Sequence, residues 1–487
     1  MRSPKYLKDI QKIVSGQVLV EQEILRCYSI DASSYQVFPR VVVIPKNEKD
    51  VSNIVRFGRK ANLSVTVRGA GTGLVGSALN NGIILDLREF NSIRIGKNTA
   101  TVGVGTSKGE LDKKLNEEGK FFPPNPSVGS YCSVGGMLGN NSSGSRSLKY
   151  GSVIDNVKEI TLINGEGKKI TLPKNKTIGK KIFTISKCIE LENYPQTSKN
   201  SSGYRLDAVK SFKDSHKALV GSEGTLGIIL SAKIKIMNIP KRRILYVIGY
   251  SSLDKAARNC RDILSSNPSA IEFVDKSTLM QFPLRFSKST KCVLLVEYDS
   301  ENKNERFMLT KMFTGNIIKT TSDEDEMKKW WRYRDSSLYY SLKSIDRRER
   351  LPHIIEDAAV PVEKLEKLFT LIHKINTKFH TKSIAYGHAG NGNIHVRLIA
   401  NREKTGHLKD IATLYFDEII KMDGTITGEH GDGLARSEFV SKLYGQKNYA
   451  LFKQLKNLLD PYGVLNPGKI INSGNKMLKN LEKMSNV

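Results

Sequence analysis

The sequence predicts an α+β protein of more than one domain, and three observations carry this. The chain has 487 residues, too many for one hydrophobic core and enough for two or three. Near its start, strand, helix and strand signals follow one another as in a β-α-β unit. Towards its end, two strand-like stretches flank a loop of glycine and asparagine, "YGHAGNGNIHVRL" (386–398). Hydrophobic residues make up 39%, so burial can drive folding and wholesale disorder is not expected.

Each element follows from its residues. "RVVVIP" (40–45) is a β-branched run stopped by proline, and "NEKDVSNIVRFGRKAN" spaces Val51, Ile54, Val55 and Phe57 as on a helix. "LSVTV" (63–67) is the second strand. Next, in "RGAGTGLVGSALNNGIILDL", Gly71, Gly73 and Gly76 satisfy G-x-G-x-x-G directly after a strand, with Asp86 ending the following one. The spacing still excludes a dinucleotide-binding crossover, because only "SALNN" separates Gly76 from Gly82 and no helix fits. Successive bare N–H groups can instead form an anion nest. "PPNPSVGSYCSVGGMLGNNSSGSRSLKYGSV" (123–153) and "GSEGTLGII" (221–229) have the same character. Together the three stretches point to a long, diphosphate-bearing ligand lying across several loops. Further on, "PVEKLEKLFTLIHKINTKF" carries a helical stripe of Leu365, Leu368, Phe369, Ile372 and Ile375, while "SIAY" and "IHVRLIA" read as strands.

The net charge is 77 − 49 = +28. Such an excess can mark an anionic partner. Here the basic residues are scattered rather than gathered in a stripe, so a general lysine bias is the better account and no nucleic acid is expected. "KNKTIGKK" (174–181) and "KRR" (241–243) read as solvated loops. The cysteines at 27, 132, 188, 260 and 292 form no C-x-x-C pair, which excludes a cysteine-clustered iron–sulfur or zinc site within the chain and fits a reducing compartment. No apolar h-region opens the chain and no apolar run approaches a membrane span. A soluble intracellular protein is expected, cytoplasmic and at most peripheral at the inner face of the membrane.

His388 and His395 stand at the two ends of the Gly/Asn loop, and "GTITGEHGDGLAR" (424–436) adds Glu429 and His430 in a second glycine-rich turn. Two imidazoles and a carboxylate make an N, N, O set that suits Zn, Mn or Fe and leaves coordination positions open. Spacing alone leaves hydrogen-bonded turn histidines as the alternative. His373 falls in the helical stretch as a packed or solvated residue. His216, His353, His380 and His407 have no evident partner.

The three glycine-rich motifs resemble the FAD-binding domain of the vanillyl-alcohol-oxidase and para-cresol-methylhydroxylase superfamily. "YGHAGNGNIH", "TGEHGDGLAR" and "LDPYGVLNPGKI" resemble its D-2-hydroxyacid dehydrogenase branch, which includes D-lactate dehydrogenase, the glycolate oxidase FAD subunit and D-2-hydroxyglutarate dehydrogenase. The likeness runs from about Pro39 to Ile470. It implies a two-subdomain FAD-binding domain over 1–240, an α+β substrate-cap domain with an antiparallel sheet over 241–425, and a C-terminal segment, 426–487, returning to the flavin. FAD would be held by Arg68, Gly69, Ala70, Gly71, Thr72, Gly73, Leu74 and Ser77 of the first loop. The second would add Pro124, Ser133, Gly135, Gly136, Asn140, Ser143, Gly144, Tyr150 and Gly151, the third Glu223, Gly224, Gly227 and Ile228, and the C-terminal segment Asn466. The eight histidines begin at His216, so the histidyl attachment used by some relatives is excluded in the first two loops, and noncovalent FAD is expected.

The resemblance also makes His388, His395 and Glu429 the ligands of a divalent metal (Zn expected, Mn or Fe as alternatives) and His430 the catalytic base. In "WWRYRDSS" (330–337), Trp331 and Arg334 match the family's Trp-x-x-Arg. The guanidinium fork suits a carboxylate clamp, against a reading as a helix-surface residue. Asn391 and Asn125 stand where the family usually has Asp, and a neutral Asn391 leaves less negative charge near the metal. Ile355 stands where 2-hydroxyglutarate enzymes carry a lysine for the distal carboxylate, which favours a small monocarboxylate such as D-lactate or glycolate. The expected reaction passes hydride from Cα to flavin and electrons on to a separate acceptor: an iron–sulfur protein, a quinone or an electron-transfer flavoprotein. "NNSSGSRSLKYG" is especially like members that work with iron–sulfur subunits. A homodimer is compatible with the resemblance. An ether-lipid synthase of the related branch is disfavoured, because it carries His-His-Gly where this chain has Glu429-His430-Gly431. A nonheme iron oxygenase would share the metal set but not need the flavin loops.

Overall fold

The computed structural model describes residues 5–299, 311–343, 345–346, 349–401, 407–474 and 477–481. The first sheet runs Gln17–Leu19, Val41–Ile44, Ile83–Asp86, Val65–Arg68, and its last three strands are parallel. Helix Glu48–Ala61 lies between Val41–Ile44 and Val65–Arg68 in the chain, completing the β-α-β unit. Asn47 fixes its start by accepting the Asp50 N–H, and Asn62 ends it in the left-handed conformation at φ 52°. Val65–Arg68 and Ile83–Asp86 are parallel neighbours joined by residues 69–82 with no helix between them. The short glycine spacing dictates this, and it leaves the loop free to wall a cavity.

A second, antiparallel sheet runs Ile93–Ile95, Thr99–Gly103, Ile228–Lys235, Val157–Ile163, Lys169–Leu172. Beside it the sequence reading needs correction. "KNKTIGKK" is not a loop but the start of helix Lys176–Ser186. The Asn175 side chain caps it by accepting the Ile178 N–H, and Gly179, Ile182 and Ser186 are buried where it packs on Phe212–Leu219. Lys176, Lys180 and Lys181 do face solvent, but from a helix.

The third sheet is antiparallel, in the order Asn316–Thr321, Ile244–Tyr250, Cys292–Tyr298, Ala270–Asp275, Lys382–His388, Asn393–Asn401, Glu349–Arg350. Helices Leu253–Leu264 and Leu365–Phe379 pack on it and on each other. The second buries the expected stripe of Leu365, Leu368, Phe369, Ile372 and Ile375 and leaves His373 exposed. After helix Val440–Leu459 the chain returns to the first sheet, where Leu465 pairs in parallel with Val65. Arg146 ties the third sheet to the rest with two bonds to fully buried Glu297 (2.6 and 2.7 Å) and lies 4.7 Å over the Trp331 ring.

Candidate active site

In the hairpin of Lys382–His388 and Asn393–Asn401, Tyr386 faces His395 and His388 faces Asn393. Cross-strand partners, and residues two apart, share a face of a sheet. Tyr386, His388, His395 and Arg397 therefore stand on one face. The turn between them needs glycine at 392, where φ is 66° and a Cβ would lie 1.8 Å from the Val360 carbonyl oxygen. Glu429 and His430 are set by buried Asp357, whose Oδ2 accepts the N–H groups of Glu429 (3.0 Å) and His430 (2.8 Å) and the Thr427 hydroxyl.

The two turns meet at one oxygen. Glu429 Oε1 lies 2.9 Å from His388 Nε2, 3.3 Å from His395 Nε2 and 3.9 Å from His430 Nε2. Glu429 Oε2 is held elsewhere, by Ser143 Oγ (2.6 Å), the Gly144 N–H (3.1 Å) and Lys199 Nζ (3.2 Å). Behind each imidazole stands a buried acid. His388 Nδ1 is 2.7 Å from Glu272, His430 Nδ1 is 2.7 Å from Glu356, and His395 Nδ1 is 3.6 Å from Asp357. An acid at Nδ1 is the arrangement that turns Nε2 towards a metal. Asp357, His395, Glu429 and His430 form an overlapping cluster, with ligand atoms within 4.8 Å of one another. Asp357 already accepts from the turn it organises, whereas among the described residues His388 Nε2 has only Glu429 before it. The geometry thus fits the set His388, His395 and Glu429 better.

The electrostatics agree. Burial would raise the Glu429 carboxyl, but Lys199 and His388 outweigh it and hold it well below the usual range. Burial pushes His395 down to about 4, which leaves its ring neutral and free of proton competition at neutral pH. Burial works against a charge on His430, yet Asp357 and Glu356 prevail and raise its pKa. Arg334, on helix Glu324–Asp335, is no surface residue. It is 3% exposed, pairs with Glu272 and places Nη2 3.3 Å from His388 Nδ1. Asn391 uses both ends of its amide, accepting from Ser147 and donating to Ser198.

One cavity of about 840 Å³ connects these groups with the glycine-rich loops, a volume towards the upper end for a ligand pocket. Arg68 through Gly73, Leu74, Ser77, Ser133, Gly135, Gly136, Asn140, Gly144, Glu223, Gly224 and Gly227 line it, as do Arg334, His388, His395, Glu429 and His430. Among the described residues, none of the N–H groups of Gly69 to Gly73 donates to a protein acceptor. Such uncommitted N–H groups are open to an anion such as a diphosphate. The expected Pro124, Ser143, Tyr150, Gly151, Ile228 and Asn466 do not line it. Ser143 is committed to Glu429 and Tyr150 to Asp299. Asn466 donates to the Ser77 and Glu223 carbonyls and so braces two loops from behind. Gly151 caps the turn Ser147–Tyr150, and Pro124 and Ile228 are buried.

The sequence reading missed Lys199, Glu272, Glu356, Asp357, Tyr386 and Arg397. One signal was available: "AIEFV" and "IIEDAAV" set acids inside apolar runs, where an unpaired charge is untenable. His353, unassigned from sequence, lines the cavity, and burial pushes it down to about 3.

A flavin-sized cavity walled by glycine-rich loops and ending at a histidine–carboxylate centre fits an FAD-dependent oxidoreductase. Comparison with known proteins agrees. The FAD binding domain family matches residues 39–173, and the C-terminal domain of FAD linked oxidases matches 239–470. Glycolate oxidase subunit GlcD of Bacillus subtilis is 30% identical, with 91% of each chain covered. A D-lactate dehydrogenase of Archaeoglobus fulgidus is 28% identical, covering 91% of this chain and 95% of its own. A solved alkyldihydroxyacetonephosphate synthase shares the fold, with TM-score 0.69, 17% identity, and coverage of 96% of this chain and 85% of its own. The chain belongs to the FAD-linked oxidase family, in its FAD-dependent D-2-hydroxyacid dehydrogenase branch.

Proposed function

We propose that this protein oxidises a small D-2-hydroxyacid of the lactate or glycolate kind to the 2-oxoacid, with noncovalent FAD and a divalent metal, zinc in the first instance. The observation that carries the reading is the convergence of His388, His395, Glu429 and His430 on one wall of the glycine-lined cavity. FAD, when bound, supplies the acceptor for the hydride leaving Cα. A metal held by His388, His395 and Glu429 supplies a Lewis acid that acidifies the substrate hydroxyl. His430 takes the hydroxyl proton at Nε2, since Glu356 occupies Nδ1. Arg334 orients the substrate carboxylate from beside His388, its charge balanced by Glu272. Electrons then leave to a separate protein or quinone. The five cysteines are free thiols, and no cysteine joins a metal-binding group among the described residues. No helix there is long and apolar enough to cross a membrane, in keeping with the cytoplasmic, at most peripheral, placement we favour.

The test is dye-coupled turnover of purified protein over a panel of D- and L-2-hydroxyacids, with flavin and metal analysis. The protein should be yellow and release its flavin into the supernatant on acid precipitation. His395→Ala should lose the metal and keep the flavin. A fully active metal-free wild type, or colour that stays in the pellet, would refute the corresponding half of the proposal.

A further inference from the structure

Of the histidines that the sequence leaves without a partner, His353 is the one that lines the cavity. It stands on the same stretch as Glu356 and Asp357. Within the candidate site His395 lies between the other two imidazoles. Its ring centroid is 5.2 Å from that of His388 and 5.1 Å from that of His430, on which it stacks. Arg334 stands at the His388 end, with Nη2 3.3 Å from His388 Nδ1. His353 belongs to the His430 end, where Arg397, Glu356, His430 and Arg436 are the leading charges around it.

One side of the His353 ring is uncommitted. Nδ1 lies 3.3 Å from the Ser34 hydroxyl. Nε2 has no hydrogen-bond partner among the described residues, yet it is not sealed in the wall. On a half-buried residue that lines the cavity, such an atom opens towards the cavity. The charged groups nearby are already engaged. Glu356 Oε1 is 2.7 Å from both His430 Nδ1 and Arg436 Nη2. Arg397 is turned into the wall, with Nε donating to the Tyr386 hydroxyl and Nη1 buried 3.3 Å from Glu356 Oε2. Burial, and after it Arg397, push His353 itself down to about 3, so its ring is uncharged at neutral pH. This end of the site therefore offers a ligand a neutral polar atom rather than a free charge. A neutral imidazole nitrogen can exchange a hydrogen bond with a hydroxyl, as donor or as acceptor, and none with a methyl group.

We propose that His353 hydrogen-bonds a hydroxyl on C3 of the substrate, so that this chain prefers a 2,3-dihydroxy acid to the 2-hydroxy acid that lacks the second hydroxyl. This rests on the 2-hydroxyacid oxidation proposed above and stays within its small monocarboxylates, since D-glycerate is D-lactate with a hydroxyl on C3. The carboxylate stays at Arg334 and the reacting hydroxyl before His430, while C3 extends towards His353.

The experiment compares D-glycerate with D-lactate, acids of equal carbon chain and the same configuration at C2, by kcat/KM in the dye-coupled assay. Wild type should favour D-glycerate by roughly threefold to tenfold, the worth of one neutral hydrogen bond. His353→Leu should abolish that preference, and His353→Gln, which keeps a neutral polar end, should recover part of it. The wild-type ratio decides even where a variant folds poorly. Equal or better turnover of D-lactate by wild type would overturn the proposal. An unchanged ratio in flavin-loaded His353→Leu would do the same, and a shifted flavin absorption in that variant would then place the ring against the cofactor. Wild type that oxidises no acid of the panel would instead refute the underlying reaction.

Discussion

Glu429 divides its two oxygens between different tasks, Oε1 facing the histidines and Oε2 held by Ser143, Gly144 and Lys199. His430, its neighbour, lies within reach of that oxygen but keeps its own acid, Glu356. A base that acts only on the hydroxyl should matter for chemistry more than for binding. His430→Asn is expected to slow flavin reduction by roughly 10²–10⁴-fold with metal content near wild type. Stopped-flow reduction by the best acid of the panel measures this without the unknown electron acceptor, and an undiminished rate would move the base elsewhere. At this scale the sequence showed the inward-facing groups, because histidines between glycines are conspicuous. It hid Glu272, Glu356, Asp357 and Lys199, since an acid's role behind an imidazole depends on tertiary contacts that no local spacing records.

At the scale of elements, the hairpin carries the site. Its strands were readable in "SIAY" and "IHVRLIA", and its turn from glycine and asparagine. Which face meets the cavity follows only from register, Tyr386 against His395. The turn tolerates no side chain at 392, where positive φ combines with the Val360 carbonyl at 1.8 Å from a would-be Cβ. Gly392→Ala should therefore cost about 2 kcal/mol or more, seen as a lower denaturation midpoint and as lost metal, since both histidines hang from this turn. A wild-type midpoint would show that the turn relaxes freely. Helix Lys176–Ser186 was misread because its lysines dominate the composition while its cap and narrow buried face rest on a few residues.

Across the whole molecule, distant segments are stitched through buried polar groups. Glu223 lines the cavity and accepts the N–H groups of Asp432 and Gly433 from the C-terminal part. Burial, with the nearby charge of Asp432, pushes its carboxyl up to about 8, from an ordinary value of 4.5. A carboxyl raised on folding contributes stability that is complete below the ordinary value and is lost as pH climbs towards 8. Glu223→Gln should flatten that decline, so its melting temperature should fall less than wild type between pH 5 and pH 8 in calorimetry. An equally steep decline would assign the pH dependence to other groups. More than one sheet was to be expected from the length, but the clamp of Arg146 on Glu297 joins residues too far apart in sequence to be inferred from one chain. The C-terminal return has a consequence for truncation. Asn466 braces the loops beneath the cavity, and Glu429 completes the histidine centre. The cavity that the early β-α-β unit begins is therefore completed only when Glu429 and Asn466, from the C-terminal part of the chain, have joined it. A variant cut short before residue 466 would lack this brace even with every glycine-rich loop intact.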